Sequence, residues 1–449
     1  MTYQSYPKYK PSDTDWLDQI PDSWEEKRLK YLISQKVTDG PHETPEFIAD
    51  GVPFLSVDGI QDDRLIFDGC RYISPENHAQ YKIKCFPHKG DILLGKAASV
   101  GKVAIVDVDF EFNVWSPLAL IRANKQVLPK YIYYSFKANT LQDQVFILST
   151  SNTQHNLSMD DIPELWLTFP NNKEQSKIVS FLDRETEKID EVMEKKQKLI
   201  ELLLEKRQAI ISQAVTKGLN PKAKMKDSGI PWLGSTLERW KVVKIKDLVL
   251  HRKGSIKTGP FGSDLTTSDY VYDENVAFAK VYTQENVIAE DFEIGDPFID
   301  RNKYQELETC TLYPGDVVLT TRGTLGKCVI FPQTAKLGVM HPCLLRLQLN
   351  NKIILSDFFK LIVHESKYFI DQLLYISNAT TLEVLYSDTL KQMVVVLPNV
   401  TEQRKILSVI EKDTSKIDSL IDKIKLQNQK LQEFRQALIS NVVTGKIKI

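Results

Sequence analysis

The segment TDGPHETPEF, Thr38 to Phe47, sets a histidine between carboxylates and prolines. His42 could act as a general base, but a base needs a group to activate. No serine or cysteine stands near it in sequence, and a lone loop histidine is more often solvated or hydrogen-bonded. GKAASVGKV, Gly95 to Val103, resembles a phosphate-binding loop. It has one residue too many between its glycines, and Val103 where Ser or Thr is required. GTLGKC, Gly323 to Cys328, is too short for the same role. PDSWEEK, Pro21 to Lys27, holds the residue types of a metal-dependent nuclease, but its carboxylates are crowded into one short segment. The seven histidines fall in no metal-ligand spacing, and the five cysteines form no CxxC pair. No glycine-rich dinucleotide fingerprint precedes a helix. The Asn-Pro-Pro-aromatic motif that amino-methyltransferases use to grip a flipped base is missing too. The chain reads as one with no catalytic residues, no metal and no cofactor of its own, and its polar loops as contact surfaces.

What positions those loops is a duplicated frame. The stretch from Leu167, LTFPNNKEQSKIVSFLDRETEKID, aligns without a gap on that from Val395, VVLPNVTEQRKILSVIEKDTSKID. Pro170 meets Pro398, Glu174–Gln175 meets Glu402–Gln403, Arg207 meets Arg435 and Ser212 meets Ser440. Further upstream, Gly90–Asp91, Gly101–Lys102 and Pro117 match Gly315–Asp316, Gly326–Lys327 and Pro342. KPSDTDWL (Lys10 to Leu17) matches KDSGIPWL (Lys226 to Leu233), and Trp24 matches Trp240. The second member of that pair follows the first long helix. A cyclic arrangement would place its twin after the second helix, so the chain ends are expected to lie close together, about a pseudo-twofold axis.

Residues 173–217 and 401–444 contain no proline and read as two helices, each roughly 65 Å long. Thr401 is the expected N-cap of the second. Apolar residues recur at alternating spacings of three and four, the pattern of a coiled-coil seam. In the first helix they are Ile178, Leu182, Ile189, Val192, Leu199, Leu203 and Ile210, interrupted by Glu185, Lys196 and Lys206. In the second they are Ile406, Ile410, Ile417, Leu420, Ile424, Leu431, Phe434 and Leu438, with Asp413 and Gln427 in the same seam. The expectation is an antiparallel coiled coil acting as a spacer. The domains follow: 1–172 globular, 173–217 helix, 218–230 linker, 231–400 globular, and 401–449 helix and tail.

The globular parts mix short β-branched runs such as VPFLSV, DILLG and DVVLTTR with amphipathic helices, so the fold class is α+β. Their loops differ where the frame agrees: TDGPHETP stands opposite KGSIKTGPFGSDL, and KAASVGK opposite TTRGTLGK. Lys, Arg, Ser, Thr, Asn and Gln in such loops suit phosphates and base edges. The formal net charge of −1 argues against an evenly basic DNA binder, but charge is unevenly spread. Residues 1–172 carry about six more acidic than basic side chains, and 401–449 about four more basic than acidic. No apolar run approaches the ~20 residues of a membrane span. No leader is evident, so a reducing cytoplasm is expected.

These features together resemble the specificity subunit of a type I restriction-modification enzyme. The likeness rests on TDGPHETP, TGPFGSDL, the GDILLGK and GDVVLTTRGTLGK segments, SNTQHNLS, the linker DSGIPWLG and the paired P-x-x-x-EQ helix openings. It implies two target-recognition domains that read the halves of a bipartite site in double-stranded DNA, with the helices setting the gap. It also implies a non-catalytic chain that docks two methyltransferase (modification) subunits, with restriction subunits able to join. S-adenosylmethionine and ATP with magnesium would then sit on those partners. By position, the resemblance places DNA contacts at Thr38, Asp39, Gly40, His42, Thr44, Lys96, Ser99, Lys102, Gln154 and Asn156. In the second domain it places them at Lys257, Thr258, Ser263, Arg322, Thr324 and Lys327. There the Gln–x–Asn of the first domain is replaced by Thr381–Leu382–Glu383. The competing reading is a structural adaptor that binds protein or glycan partners through its loops and helices.

Overall fold

The computed structural model describes residues 4–151, 155–231, 233–273, 275–324, 326–378 and 384–449. The chain forms two compact units. The first comprises Met1–Gln197 with Lys425–Ile449, and the second Lys198–Ile424. Each unit therefore contains one globular part and a portion of both long helices.

The two units share one topology. In the first, an antiparallel sheet has the order Val103–Ile105, Ile92–Gly95, Leu118–Ile121, Thr38–Asp39. In the second, the order is Cys328–Ile330, Val317–Thr320, Leu344–Leu347, Ile256–Thr258. The two central strands of each sheet are buried at every residue, as an apolar run such as LALI requires, and this burial takes in Thr320 and Arg346. A three-stranded sheet packs beside each: Asn113–Val114, Val52–Leu55 and Arg71–Ile73 in the first unit, Gly338–Met340, Ala279–Tyr282 and Phe298–Ile299 in the second. One apolar core lies between the sheets. A second joins the four-stranded sheet to its helices.

Register places Leu118 opposite Gly95 and Leu344 opposite Thr320. The match from Gly90 therefore slips by one residue: Pro117 corresponds to Cys343, not to Pro342. The aromatic-rich stretch after Leu128 is not one helix but two, Pro129–Lys137 and Asn139–Leu148, parted at Ala138 in extended backbone. Ser356–Glu365 and Lys367–Asn378 repeat the break. A serine from far along the chain holds it open. Ser440 Oγ accepts from Asn139 N at 2.9 Å, and Ser212 Oγ from Lys367 N at 2.9 Å.

The long helices are Asn172–Lys217 and Val400–Val443. Thr401 is not the N-cap. Asn399 Oδ1 accepts from Glu402 N at 2.9 Å, as Asn171 Oδ1 does from Glu174 N at 3.0 Å. The repeated Glu-Gln pair fastens each helix to its globular part. Fully buried Gln403 donates to Pro398 O and Ile353 O and accepts from Leu355 N; Gln175 does the same with Pro170 O, Gln126 O and Leu128 N. Glu402 accepts from Trp240 Nε1, and Glu174 from Tyr6 OH.

Within each unit the helix portions run antiparallel. Arg435 pairs with Asp190 and Lys196 with Gln427 in the first unit; Arg207 pairs with Asp418 in the second. Ile178, Leu182, Ile189, Ile406, Ile410, Ile417, Ile424 and Leu438 are buried. Leu203, Ile210 and Leu431 are half-buried. Val192, Leu199, Leu420 and Phe434 are exposed, against the expected seam. A helix of 3.6 residues per turn drifts off a 3.5 repeat. The buried stripe accordingly steps by four through Thr186 and Thr414 and continues through Ile200 and Ile421. Each threonine satisfies its hydroxyl on its own helix, at Leu182 O and Ile410 O.

The stretch expected as a linker is ordered: Met225–Asp227 pairs with Ser235–Leu237, and Gly218 packs on Leu237 and Trp240. In the first unit Tyr9–Pro11 pairs with Gln19–Pro21, and Gly445 packs on Pro21 and Trp24. Lys448 N donates to Gln4 O at 2.8 Å, so the two ends of the chain do meet.

Candidate nucleic-acid interface

In the first unit the chain leaves its edge strand at Gly40. A Cβ there would lie 1.8 Å from Val114 O, so glycine alone fits this crossing. Asp39, just before it, is only 3% exposed. Its carboxylate meets two ammonium groups and an imidazole: Lys84 Nζ at 2.5 Å, Lys96 Nζ at 3.3 Å and His42 Nε2 at 3.0 Å. Burial pushes this carboxyl up, but Lys84, Lys96 and His42 outweigh it and hold it below its ordinary value. Asp39, Gly40 and Lys96 are thus interior, contrary to the expectation of direct contact. Asp39 anchors the donors, while His42 and Lys84 keep exposed side chains. Lys84 was not foreseen, because nothing local in its sequence marks it as a partner of a residue 45 positions away.

The loop beyond is pinned at Glu43. Its carbonyl accepts from Trp115 Nε1 at 3.1 Å and its carboxylate from Tyr81 OH at 2.9 Å. His42 and Thr44 on either side are exposed. Gly95 to Val103 turns directly from one strand into its antiparallel neighbour, with no helix following, so it is a hairpin and not a phosphate cradle. Within it Ser99 is half-buried, and Lys102 Nζ donates to Ile60 O at 3.1 Å. Asn156 is exposed and bridges to Ala97. Thr38 lies half-buried on the edge strand. Gln154 falls outside the described residues.

The second unit keeps the frame and changes the side chains. A Cβ on Gly259 would sit 2.2 Å from His341 O. Thr258 takes the place of Asp39, each paired to the equivalent central strand. Thr321 takes that of Lys96: its amide bonds Cys343 O as the amide of Lys96 bonds Pro117 O. Arg322 replaces Ala97, bridging to Val384 as Ala97 bridges to Asn156. Val384 is therefore the counterpart of Asn156; Thr381–Leu382–Glu383 fall outside the described residues. Thr258, Ser263, Arg322 and Thr324 are exposed, and Lys257 is half-buried. Lys327 Nζ lies 3.0 Å from His364 Nε2. Burial first, and Lys327 second, hold His364 below its ordinary value, so it accepts from the lysine as a neutral ring. His341, the counterpart of Trp115, is lowered likewise by burial and by Arg322.

Among the described residues, no group of three or more His, Cys, Asp or Glu could hold a metal ion. Nor is any helix among them long and apolar enough to cross a membrane.

Two copies of one α+β frame, each carrying its own polar set at matched loop positions, define a duplicated scaffold with differing loops. The family model described as "Type I restriction modification DNA specificity domain" matches residues 21–202 and again 237–434. The chain belongs to this family. It is 26% identical over 163 residues to the type I restriction enzyme EcoBI specificity subunit of Escherichia coli, covering 36% of this chain and 34% of that one. It is also 26% identical over 179 residues to the MjaIX specificity subunit of Methanocaldococcus jannaschii, covering 38% and 39%. The matched segments thus span little more than a third of these relatives' lengths. A chain solved in work on complex assembly and conformational transition of the type I R-M system shares the fold. Its TM-score is 0.67 at 15% identity, over 94% of this chain and 98% of that one.

Proposed function

We propose that this chain is the DNA-recognition subunit of a type I restriction-modification enzyme, each unit reading one half of a bipartite duplex site. The observation that carries this is the change of accessible loop residues on one frame: Arg322 and Val384 stand where Ala97 and Asn156 do. Equivalent loops with different donors and acceptors read different base edges. Membership of the specificity-domain family supports the same reading. The chain itself is non-catalytic. It docks two modification subunits, which supply S-adenosylmethionine and methylate adenine, and restriction subunits, which supply ATP hydrolysis with magnesium. It works in the cytoplasm, and partner subunits offset its near-neutral charge. Mapping methylated adenines in the host genome tests this. The expected result is a split motif with an unread gap that disappears on deletion of this chain. Adenine methylation unchanged by the deletion would refute the reading.

A further inference from the structure

Arg71 begins the strand Arg71–Ile73, paired with Val52–Leu55. Its guanidinium lies 4.8 Å from the ring centre of Phe47 and 5.6 Å from that of Trp115. Phe47 ends the TDGPHETPEF segment, and Trp115 holds that segment through Glu43 O. Arg71 is exposed, and no carboxylate among the described residues pairs with it. An exposed arginine ordinarily samples many rotamers. Stacking on two rings removes much of that freedom and leaves the N–H edges of the fork unused. Binding then costs less ordering entropy.

The surroundings select the ligand. Arg71 and Trp115 line a cleft of about 150 Å³ together with Ser56, Asp58 and Asp68. Two acidic side chains lining the same cleft disfavour a phosphate, which is itself anionic. A base edge carries no net charge. Guanine offers O6 and N7, the acceptor pair that fits a guanidinium fork, and its cytosine partner offers an N4 amine that a carboxylate accepts. The corresponding strand of the second unit, Phe298–Ile299, carries no arginine, and His341 stands where Trp115 does. We infer that Arg71 is a specificity-determining residue that reads a guanine in the half-site of the first unit. This inference rests on the DNA-recognition reading above.

The test selects from a randomised duplex library with the full-length chain in its assembled modification complex, comparing wild type with Arg71→Ala, Arg71→Gln and Arg71→Lys. Wild type should enrich a bipartite motif. Each variant should lose preference for guanine at one position of one half, by roughly 10- to 100-fold, with the other half unchanged. Lysine keeps the charge but not the fork, so it should relax the same position. A motif unchanged in all three variants overturns the inference. So does weakening uniform across positions, or full rescue by lysine, either of which marks a charge contact alone. Hydrogen exchange over 52–55 and 71–73 identifies any variant that has lost the fold, leaving the others to decide. Failure of wild type to enrich any split motif would count against the DNA-recognition reading itself.

Discussion

Replacing Asp39 by threonine tests whether the first recognition loop stands on a buried charge cluster. Asp39 is 3% exposed and Lys96 7%, with 3.3 Å between carboxylate and ammonium. Removing one partner of a buried pair strands the other and costs about 3–5 kcal/mol. His42 and Lys84 are more than half exposed and should add under ~1 kcal/mol. Asp39→Thr should therefore destabilise the first unit by about 3 kcal/mol. The second unit supplies the control, because Thr258 and Thr321 occupy the two equivalent positions. Asp39→Thr with Lys96→Thr removes both charges together and should recover all but about 1 kcal/mol.

With two compact units, a single unfolding free energy is poorly defined. The readout is native-state hydrogen exchange of Ile92–Gly95 and Leu118–Ile121, strands of the same sheet as Asp39. The pH dependence has a fixed sign. The Asp39 carboxyl is lowered in the folded chain, so its stabilisation is present above the unfolded value and lost as pH falls through the folded one. Wild-type protection should drop in a step below about pH 4 that the double variant lacks. A double variant as unstable as the single one would refute the stranded-lysine argument, as would a single variant costing less than ~1 kcal/mol.

Gly40→Ala would put a methyl group 1.8 Å from Val114 O, and should cost about 3 kcal/mol or more in thermal or exchange measurements, because backbone must move. Gln403→Leu would leave Leu355 N, Ile353 O and Pro398 O without their partner in a buried site. Loosening of the second unit by about 3 kcal/mol, seen as faster exchange across Leu344–Leu347, is the expected outcome. Removing one heptad from both long helices shortens each by roughly 10 Å. Methylation mapping should then show the unread gap shortened by about three base pairs or recognition lost, with neither half-sequence altered.

The repeat, the α+β class and the two long helices were all legible because they are written locally, in aligned identities and in period. Departures arose where side-chain bonding decided the outcome, either with a near neighbour that competes for the same group or with a partner far along the chain. Thr401-Glu402 imitates a capped helix start, but Asn399 reaches the free amide first. Thr186 and Thr414 look like surface residues, yet bonding back to their own helix lets them take seam positions from Glu185 and Asp413. The breaks at Ala138 and Ser366 carry no proline or glycine; Ser440 and Ser212, from distant stretches, make them possible. Asp39 reads as a loop acid until Lys84 and Lys96 close on it.

A chain that contains two versions of itself supplies its own comparison. Positions that agree between the halves prove to be occupied by the protein. Gln175 and Gln403 clamp helix starts, Arg207 and Arg435 cross-pair with Asp418 and Asp190, and Gly40 and Gly259 let strands cross. The same test separates the cationic loop residues. Lys102 and Lys327 are identical in the two halves, and each has its ammonium engaged internally, on Ile60 O and on His364. Arg71 and Arg322 have no arginine at the matching place, and both are exposed. A frame that must be common cannot carry a difference in what is read. On the proposed reading, discrimination between two half-sequences falls on the residues that do not match, and those two arginines are among the exposed, unmatched side chains whose chemistry suits a base edge.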